Sequence, residues 1–221
     1  MDKALTLYDT TIGKKAVMAV TGLVLFGFVI GHMIGNLQLY MGPAQLNHYA
    51  HTLKSLPELL WAVRIVLAVS VVLHITATVQ LYDRTLAARE KRYRVKKSIA
   101  ATYASKTMIW TGPTLLLFIV YHLVHFTIPG VSMGNYVESA TNVYANVVNG
   151  FSIPWVAAIY IVGNLALGYH LYHGGVSLLQ TLGFNHPRHN DRARGIARAF
   201  ALIVTLGNIS FPISVLLGII R

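Results

Sequence analysis

Histidine is the residue type whose number and placement in this sequence point to chemistry. The chain of 221 residues contains ten histidines, and six of them lie within long apolar segments. These six are His32, His74, His122, His125, His170 and His173. An imidazole binds metal ions and transfers protons, and an ionisable group within a membrane usually faces the interior of a helix bundle. A lone histidine of this kind is equally well explained as a neutral packing residue. Histidines in each of the first four apolar segments are harder to explain in that way.

The six histidines lie in the first four of five apolar segments, and each of the five is long enough to cross a bilayer. A membrane-spanning helix needs roughly 20 mostly apolar residues. The segments lie at about 16–39, 59–82, 108–128, 153–179 and 196–220. In the whole chain 55% of the residues are hydrophobic and 11% are charged. We therefore predict an all-α integral membrane protein, with residues 1–221 as one domain of five transmembrane helices. The first four helices are expected to form the histidine-containing bundle.

Lysine and arginine residues predict the orientation of these helices. Fifteen of the eighteen flank the same side: Lys3, Lys14, Lys15, Arg84, Arg89, Lys91, Arg92, Arg94, Lys96, Lys97, Lys106, Arg188, Arg192, Arg194 and Arg198. The other side has Lys54, Arg64 and Arg221. The positive-inside rule then places the N-terminus in the cytoplasm and the C-terminus outside. This orientation accounts for the net charge of +11 without a nucleic-acid partner.

The depth of each histidine predicts two pairs. Because successive helices cross in opposite directions, His32 and His122 fall in the outer half of the membrane, whereas His74 and His170 fall in the inner half. At ~1.5 Å per residue the two levels differ by roughly 10–15 Å. Two stacked bis-histidine sites in a helix bundle are typical of a di-haem protein, since histidine is a common axial ligand of haem iron. A catalytic zinc site would more often need three convergent ligands. With no cysteine, the chain itself holds no disulfide, thiolate zinc site or cysteine-bound iron–sulfur cluster.

Two of the four positions have a competing histidine about one turn away. His125 competes with His122, and His173 competes with His170. An internal repeat favours His122, because the letters T-G, nine further residues and a histidine occur in both the first and the third segments, ending at His32 and His122. His125 is expected near the membrane interface. Both competing histidines are candidates for contacts around a cofactor or its propionates.

Four sequence motifs accompany the paired histidines. They are TGLVLFGFVIGH ending at His32, SLP before the segment that contains His74, FIVYH ending at His122, and YIVG before His170 with QTLG ending at Gly183. With these motifs, nearly the whole chain resembles the di-haem cytochrome b membrane anchors of succinate dehydrogenases and fumarate reductases. The resemblance implies two b haems whose four iron ligands are His32, His74, His122 and His170. The thirteen-residue gap from His170 to Gly183 fits the family spacing better than a gap counted from His173.

The resemblance also implies partners and a location. A flavoprotein subunit and an iron–sulfur subunit would sit on the cytoplasmic side of a bacterial inner membrane, and menaquinone or another quinone would exchange electrons with the haems. The basic loop from Arg84 to Lys106 is a candidate docking surface for acidic partners. Its charge is also explained by membrane orientation and contact with anionic lipids.

Further polar residues are candidates for the quinone site and for haem propionates. In related anchors the quinone lies near the outer haem, and it needs an apolar slot, a hydrogen-bond donor and a proton relay. Glu58 and His51 are predicted to relay protons, and Arg64 to hold a carbonyl or a propionate. Glu58 is as readily explained as a solvated residue. On the inner side, Lys15 and Lys106 are the candidates for propionate contacts.

Two other functions remain open from the sequence. One is the cytochrome b anchor of another respiratory enzyme, such as a hydrogenase or a formate dehydrogenase. The other is a transporter in which the histidines form a proton relay. A coloured preparation with haem absorption bands would separate either cytochrome from the transporter.

Overall fold

The computed structural model describes residues 6–88, 102–128, 139–184 and 186–221. Of these residues 88% are helical, and the described ranges contain no strand. The helices, in chain order, are α1 (Thr11–Asn36), α2 (Pro43–Lys54), α3 (Pro57–Ala87), α4 (Tyr103–Phe126), α5 (Val143–Phe151), α6 (Pro154–Thr181) and α7 (Pro187–Leu216). Helices α1, α3, α4, α6 and α7 are long and apolar enough to cross a membrane. The predicted fold, an all-α membrane protein with five spanning helices, is confirmed.

Local sequence determines where the helices begin. Proline occupies the first turn of α2, α3, α6 and α7, where its missing N–H leaves no hydrogen bond unmade. The hydroxyls of Thr10 and Thr102 cap α1 and α4 by accepting hydrogen bonds from backbone N–H groups in the first turn. A 3-10 turn, Leu37–Met41, extends α1 and ends at Gly42, whose φ of +92° allows the chain to enter α2.

The helices differ from the predicted segments mainly at their polar ends. The first begins at Thr11 rather than near residue 16, and the last begins at Pro187 rather than near residue 196. Backbone hydrogen bonding continues beyond the apolar stretch, so an apolar window marks the membrane-embedded part rather than the whole helix. The remaining spans also shift: 57–87 replaces 59–82, 103–126 replaces 108–128, 154–181 replaces 153–179, and the last helix ends at 216 instead of 220. The short helices α2 and α5 were not predicted.

The spanning helices pack in a definite order around α1 and α6. Helix α3 packs on α1, and α1 contacts α6. Helix α4 also packs on α6. Helix α7 makes its most extensive contact with α6 and also touches α1. Small residues allow this closeness, since a methyl group added at Gly175 of α6 would lie 3.2 Å from the Cβ atom of Ala197. Helix α7, the fifth spanning helix, is therefore part of the packed interior, although none of its membrane-embedded residues is a histidine.

Two clusters of buried side chains hold the bundle together. One lies at the end of the bundle that carries α2 and α5, which we call the outer end after the orientation predicted from the sequence; it contains Leu39, Leu46, Phe151, Val156, Tyr160, Phe211, Val215 and Ile220. The other joins α1, α6 and α7 through Met33, Leu171, Ala201 and Val204. At this end α5 packs on α6 and α7, and α2 packs on α5.

The opposite end carries most of the positive charge of the described residues. Lys14, Lys15, Arg84, Lys106, Arg188, Arg192, Arg194 and Arg198 lie at the N-terminal ends of α1, α4 and α7 or at the C-terminal end of α3. The predicted docking loop between Arg84 and Lys106 falls mostly outside the described residues, as does Lys3.

Candidate functional site

The structure brings together the histidines of both predicted pairs. The ring centroids of His32 on α1 and His122 on α4 are 5.7 Å apart. Those of His74 on α3 and His170 on α6 are 6.3 Å apart. His74 meets α1 at Gly22, ten residues before His32, so the two pairs lie about 15 Å apart along that helix. The bundle therefore has two bis-histidine sites at different heights.

The ring separations suit binding of one metal ion between two imidazoles. An imidazole nitrogen binds a metal ion at about 2 Å. Two rings that bind one ion from opposite sides then have centroids about 6 Å apart, close to both observed values. Within the described residues no group of three or more metal-binding side chains occurs. Each pair therefore suits an ion whose other ligands come from a cofactor, as the four nitrogens of a porphyrin do.

His170 adds a second observation at the inner pair. Its Nδ1 atom is buried and has no hydrogen-bond partner. Burial of a polar atom without a partner is costly, and such an atom calls for an explanation. A metal ion between the His74 and His170 rings would give this atom a partner only by binding at Nδ1 itself. The fit of the inner pair to a haem iron therefore rests on the separation of the two rings.

A threonine hydroxyl sets the orientation of His74. Thr21 Oγ1 lies 2.8 Å from the carbonyl oxygen of Val17, to which it donates its hydrogen. The same oxygen lies 3.2 Å from His74 Nδ1. Because its own hydrogen goes to a backbone carbonyl, this oxygen can accept a hydrogen from that nitrogen, which leaves the lone pair of His74 Nε2 for a metal ion. A methyl group at Gly22 would lie 3.5 Å from His74 Cε1, which is ordinary contact.

A tyrosine hydroxyl occupies the corresponding place at the outer pair. Tyr160 on α6 has its hydroxyl oxygen 3.3 Å from His122 Nδ1 and 2.9 Å from His125 Nδ1. Three phenylalanine rings, those of Phe118, Phe126 and Phe151, pack against the Tyr160 ring. Spacing along the chain gives no signal for this contact, because it joins α4 to α6.

The two competing histidines have different surroundings. His125 is completely buried, and its ring contacts those of Tyr121, Phe126 and Tyr160 on α4 and α6. Its position near the membrane interface stays a prediction. His173 is partly buried, and its Nε2 atom lies 3.3 Å from the hydroxyl of Ser177 one turn later. The structure thus places His125 beside His122 through a shared tyrosine and gives His173 a partner on its own helix.

The predicted quinone residues are exposed and are not joined to one another. His51 lies on α2, while Glu58 and Arg64 lie in the first two turns of α3. No hydrogen bond or ion pair links these three side chains. The Arg64 guanidinium lies 5.1 Å from the centroid of the Trp61 ring. Their role in quinone binding stays a prediction.

The inner end has a buried cation that the sequence did not single out. Lys15 and Lys106, the predicted propionate contacts, are exposed. Lys14 is only 5% exposed; its Nζ atom donates to Gln80 Oε1 at 2.6 Å and lies 3.9 Å from the centroid of the Tyr8 ring. Sequence spacing does not distinguish the two neighbouring lysines, because the decisive contact is with α3.

An N-terminal turn completes this end of the molecule. The Asp9 carboxylate accepts hydrogen bonds from the Thr6 hydroxyl at 2.6 Å and from the Thr6 backbone N–H at 3.0 Å. These hydrogen bonds, with smaller contributions from Lys14 and Arg84, hold the pKa of Asp9 below its usual value of 3.8. Arg84 also donates to the Asp9 carbonyl oxygen at 2.7 Å, which ties the turn to α3.

Comparison with known proteins identifies a family. A model of the succinate dehydrogenase/fumarate reductase transmembrane subunit family matches residues 80–209, more than half of the chain. The matched range includes His122 and His170, one histidine from each pair. No curated protein and no solved structure gives a significant match.

Proposed function

The chain belongs to the succinate dehydrogenase/fumarate reductase transmembrane subunit family, and we propose that it carries electrons through two b haems between an iron–sulfur subunit and a membrane quinone. As a member of this family it is a multi-pass membrane anchor subunit. Haem iron, when bound, alternates between the ferric and ferrous states and carries one electron at a time.

The two histidine pairs are the observation that carries this proposal. His32 with His122, and His74 with His170, face each other at separations that suit one ion per pair. Each pair joins two helices, so each haem would be held by the bundle rather than by one element. Within each pair one histidine has its Nδ1 atom hydrogen-bonded to a hydroxyl, an arrangement that fixes ligand rings in metal sites.

The charge distribution supports the direction of the electron path. The end of the bundle near His74 and His170 carries most of the basic residues, and the positive-inside rule assigns that end to the bacterial cytoplasm. In this orientation the N-terminus is cytoplasmic and the C-terminus is outside. A flavoprotein subunit and the iron–sulfur subunit would then bind at the cytoplasmic end, so that the inner pair is the nearer to them. Haem propionates at this end would meet Lys15 and Lys106.

We place quinone exchange at the outer pair. His51, Glu58 and Arg64 lie near the outer end of the bundle, and all three side chains are exposed. Arg64 would donate a hydrogen bond to a quinone carbonyl, while Glu58 and His51 would exchange protons with the outer aqueous phase. Menaquinone is the quinone that we propose.

Removal of one inner ligand tests the haem assignment. In the complex purified with its partner subunits, we expect about two b haems per chain and spectra of low-spin iron with two histidine ligands. His170→Leu removes a ligand from the inner pair without introducing a charge, so the inner haem is expected to be lost and the outer haem retained. The haem content is measured from the reduced absorption spectrum, and the two haems are resolved by redox titration.

His173→Leu is the matched control, because it removes a partly buried histidine from the same helix, one turn further on. It is expected to keep both haems. Correctly assembled protein that lacks haem would refute the proposed function. Equal haem loss in both variants would refute the assignment of His170.

A further inference from the structure

The Tyr160 hydroxyl is shared by two histidines at the outer pair. It lies 3.3 Å from Nδ1 of His122 and 2.9 Å from Nδ1 of His125. Tyr160 is 5% exposed and His125 is completely buried. Buried hydrogen bonds of this kind strengthen one another, because no water competes for the donors and acceptors.

The tautomers of both rings follow if His122 binds iron through Nε2, as in the proposed function. The Nδ1 atom of His122 then carries a hydrogen, which it donates to the Tyr160 oxygen. Tyr160 is left with its own hydroxyl hydrogen, which His125 Nδ1, 2.9 Å from the hydroxyl oxygen, can accept. In that arrangement His125 carries its hydrogen on Nε2. The three groups form one chain with a single direction, from His122 through Tyr160 to His125.

We propose that Tyr160 and His125 are positioning residues that act as one unit on the outer haem ligand His122. Tyr160 accepts the Nδ1 hydrogen of His122, which fixes the ring and makes its Nε2 atom a stronger electron donor. His125 accepts the hydroxyl hydrogen of Tyr160 and thereby makes the tyrosine oxygen a better acceptor. The unit stabilises ferric iron at the outer site. This inference rests on the proposed function, because it concerns the potential of a haem held by His122.

The inner pair shows what is particular to this unit. At His74 the acceptor is Thr21, whose hydroxyl hydrogen is already donated to the backbone carbonyl of Val17. A backbone carbonyl in a helix has a fixed position, and it cannot be replaced by mutation. At His122 the second acceptor is a side chain. Two side chains, Tyr160 and His125, can therefore be substituted to change the donor strength of the outer ligand His122. At the inner ligand His74 only Thr21 can be substituted in this way.

Tyr160→Phe tests the contribution of Tyr160, because it removes the hydroxyl and keeps the ring among its phenylalanine neighbours. The loss of an acceptor weakens His122 as a donor, so the outer haem is expected to take up an electron more readily. We expect the ferrous-to-ferric ratio at a fixed potential to rise on the order of tenfold, which is about 59 mV for a one-electron couple. The outer component is the one that survives in the His170→Leu complex, and the inner component should not move.

Tyr121→Phe is the matched control. Tyr121 contacts the rings of both Tyr160 and His125, and its buried hydroxyl has no hydrogen-bond partner. Loss of that hydroxyl changes the packing region without changing the hydrogen bonds of His122. Both haem potentials should therefore stay as in the native complex.

Two substitutions at His125 test the contribution of that residue. His125→Leu removes the acceptor and is expected to shift the outer potential in the same direction as Tyr160→Phe, by a smaller amount. His125→Asn offers an amide oxygen close to the Nδ1 position and is expected to restore the native potential. These two variants also decide the question if Tyr160→Phe fails to accumulate.

Several outcomes would overturn the inference while leaving the proposed function intact. Two haems with an unchanged outer potential in Tyr160→Phe would do so, and so would equal shifts in Tyr160→Phe and Tyr121→Phe. Equal effects of leucine and asparagine at position 125 would exclude the contribution of His125. Absence of haem from the native complex would instead refute the proposed function.

Discussion

The two histidine pairs lie in contrasting surroundings. The outer pair is next to a cluster of aromatic rings on α4, α5 and α6, and the short helices α2 and α5 pack at the same end of the bundle. The inner pair has one threonine hydrogen bond and a histidine whose Nδ1 atom is unpartnered. Beyond the inner pair, towards the basic end, lies a buried lysine rather than an apolar cap.

This difference shows how one bundle can hold two similar sites for different tasks. Aromatic packing excludes water and fixes ring positions, so the outer site depends on shape. The inner end depends on a few polar contacts, each with a specific partner across α1 and α3. Substitutions that alter volume should therefore act mainly on the outer site, whereas substitutions that remove a polar partner should act mainly on the inner end.

The largest effect is expected from the loss of the partner of Lys14. Gln80→Leu leaves the lysine ammonium buried without its acceptor, and a buried charged donor that loses its acceptor costs about 3 kcal/mol. Lys14→Met removes the charge itself and keeps a similar length of apolar chain, so it should cost much less. The free energy of unfolding, measured by denaturant titration of the purified protein in detergent, compares the two. A larger loss in Lys14→Met than in Gln80→Leu would contradict this account of the inner end.

The second prediction concerns volume at the outer pair. A methyl group at Gly163 would lie 2.5 Å from a carbon of the Phe118 ring, and that ring packs against His122. Gly163→Ala must therefore displace the phenylalanine. We expect a net destabilisation of about 1–3 kcal/mol together with reduced occupancy of the outer haem.

Gly22→Ala is the matched substitution at the inner pair. The added methyl group would lie 3.5 Å from His74, an ordinary contact, and alanine favours a helix over glycine by about 1 kcal/mol. This variant should keep both haems and full stability. Equal loss of haem in the two variants, measured from reduced spectra, would mean that packing does not distinguish the sites.

The sequence predicts the parts of this structure that depend on hydropathy and on helix direction. Five spanning helices follow from the length of the apolar segments, and the alternating directions place His32 level with His122. The short helices α2 and α5 are not predicted, because 12 and 9 residues are too few to give a membrane signal. Burial of His125 is not predicted either, because its partner Tyr160 lies on another helix.

Contacts between helices are the part that sequence reasoning could not reach. Tyr160 and Gln80 are bound by residues on other helices, and no periodicity in the chain specifies which side chains meet. The choice between Lys14 and Lys15 shows the limit clearly. Both satisfy the positive-inside rule, but one helical step turns Lys14 towards α3 and leaves Lys15 exposed. Residue type predicts on which side of the membrane a lysine lies, whereas its hydrogen-bond partner depends on how the helices pack.

The smallest predicted effect separates hydrogen bonding from charge in the N-terminal turn at the inner end. Thr6→Ala removes the hydroxyl that contributes most to the lowered pKa of Asp9, so this pKa should rise towards 3.8. Arg84→Gln removes a weaker, more distant influence and should raise the pKa less. Because the pKa of Asp9 is lower in the folded state, its stabilising contribution is present above about pH 4 and is lost as the pH falls through the folded-state pKa. NMR titration of the Asp9 carboxyl carbon measures both shifts, and a larger rise in Arg84→Gln would show that charge rather than hydrogen bonding controls this turn.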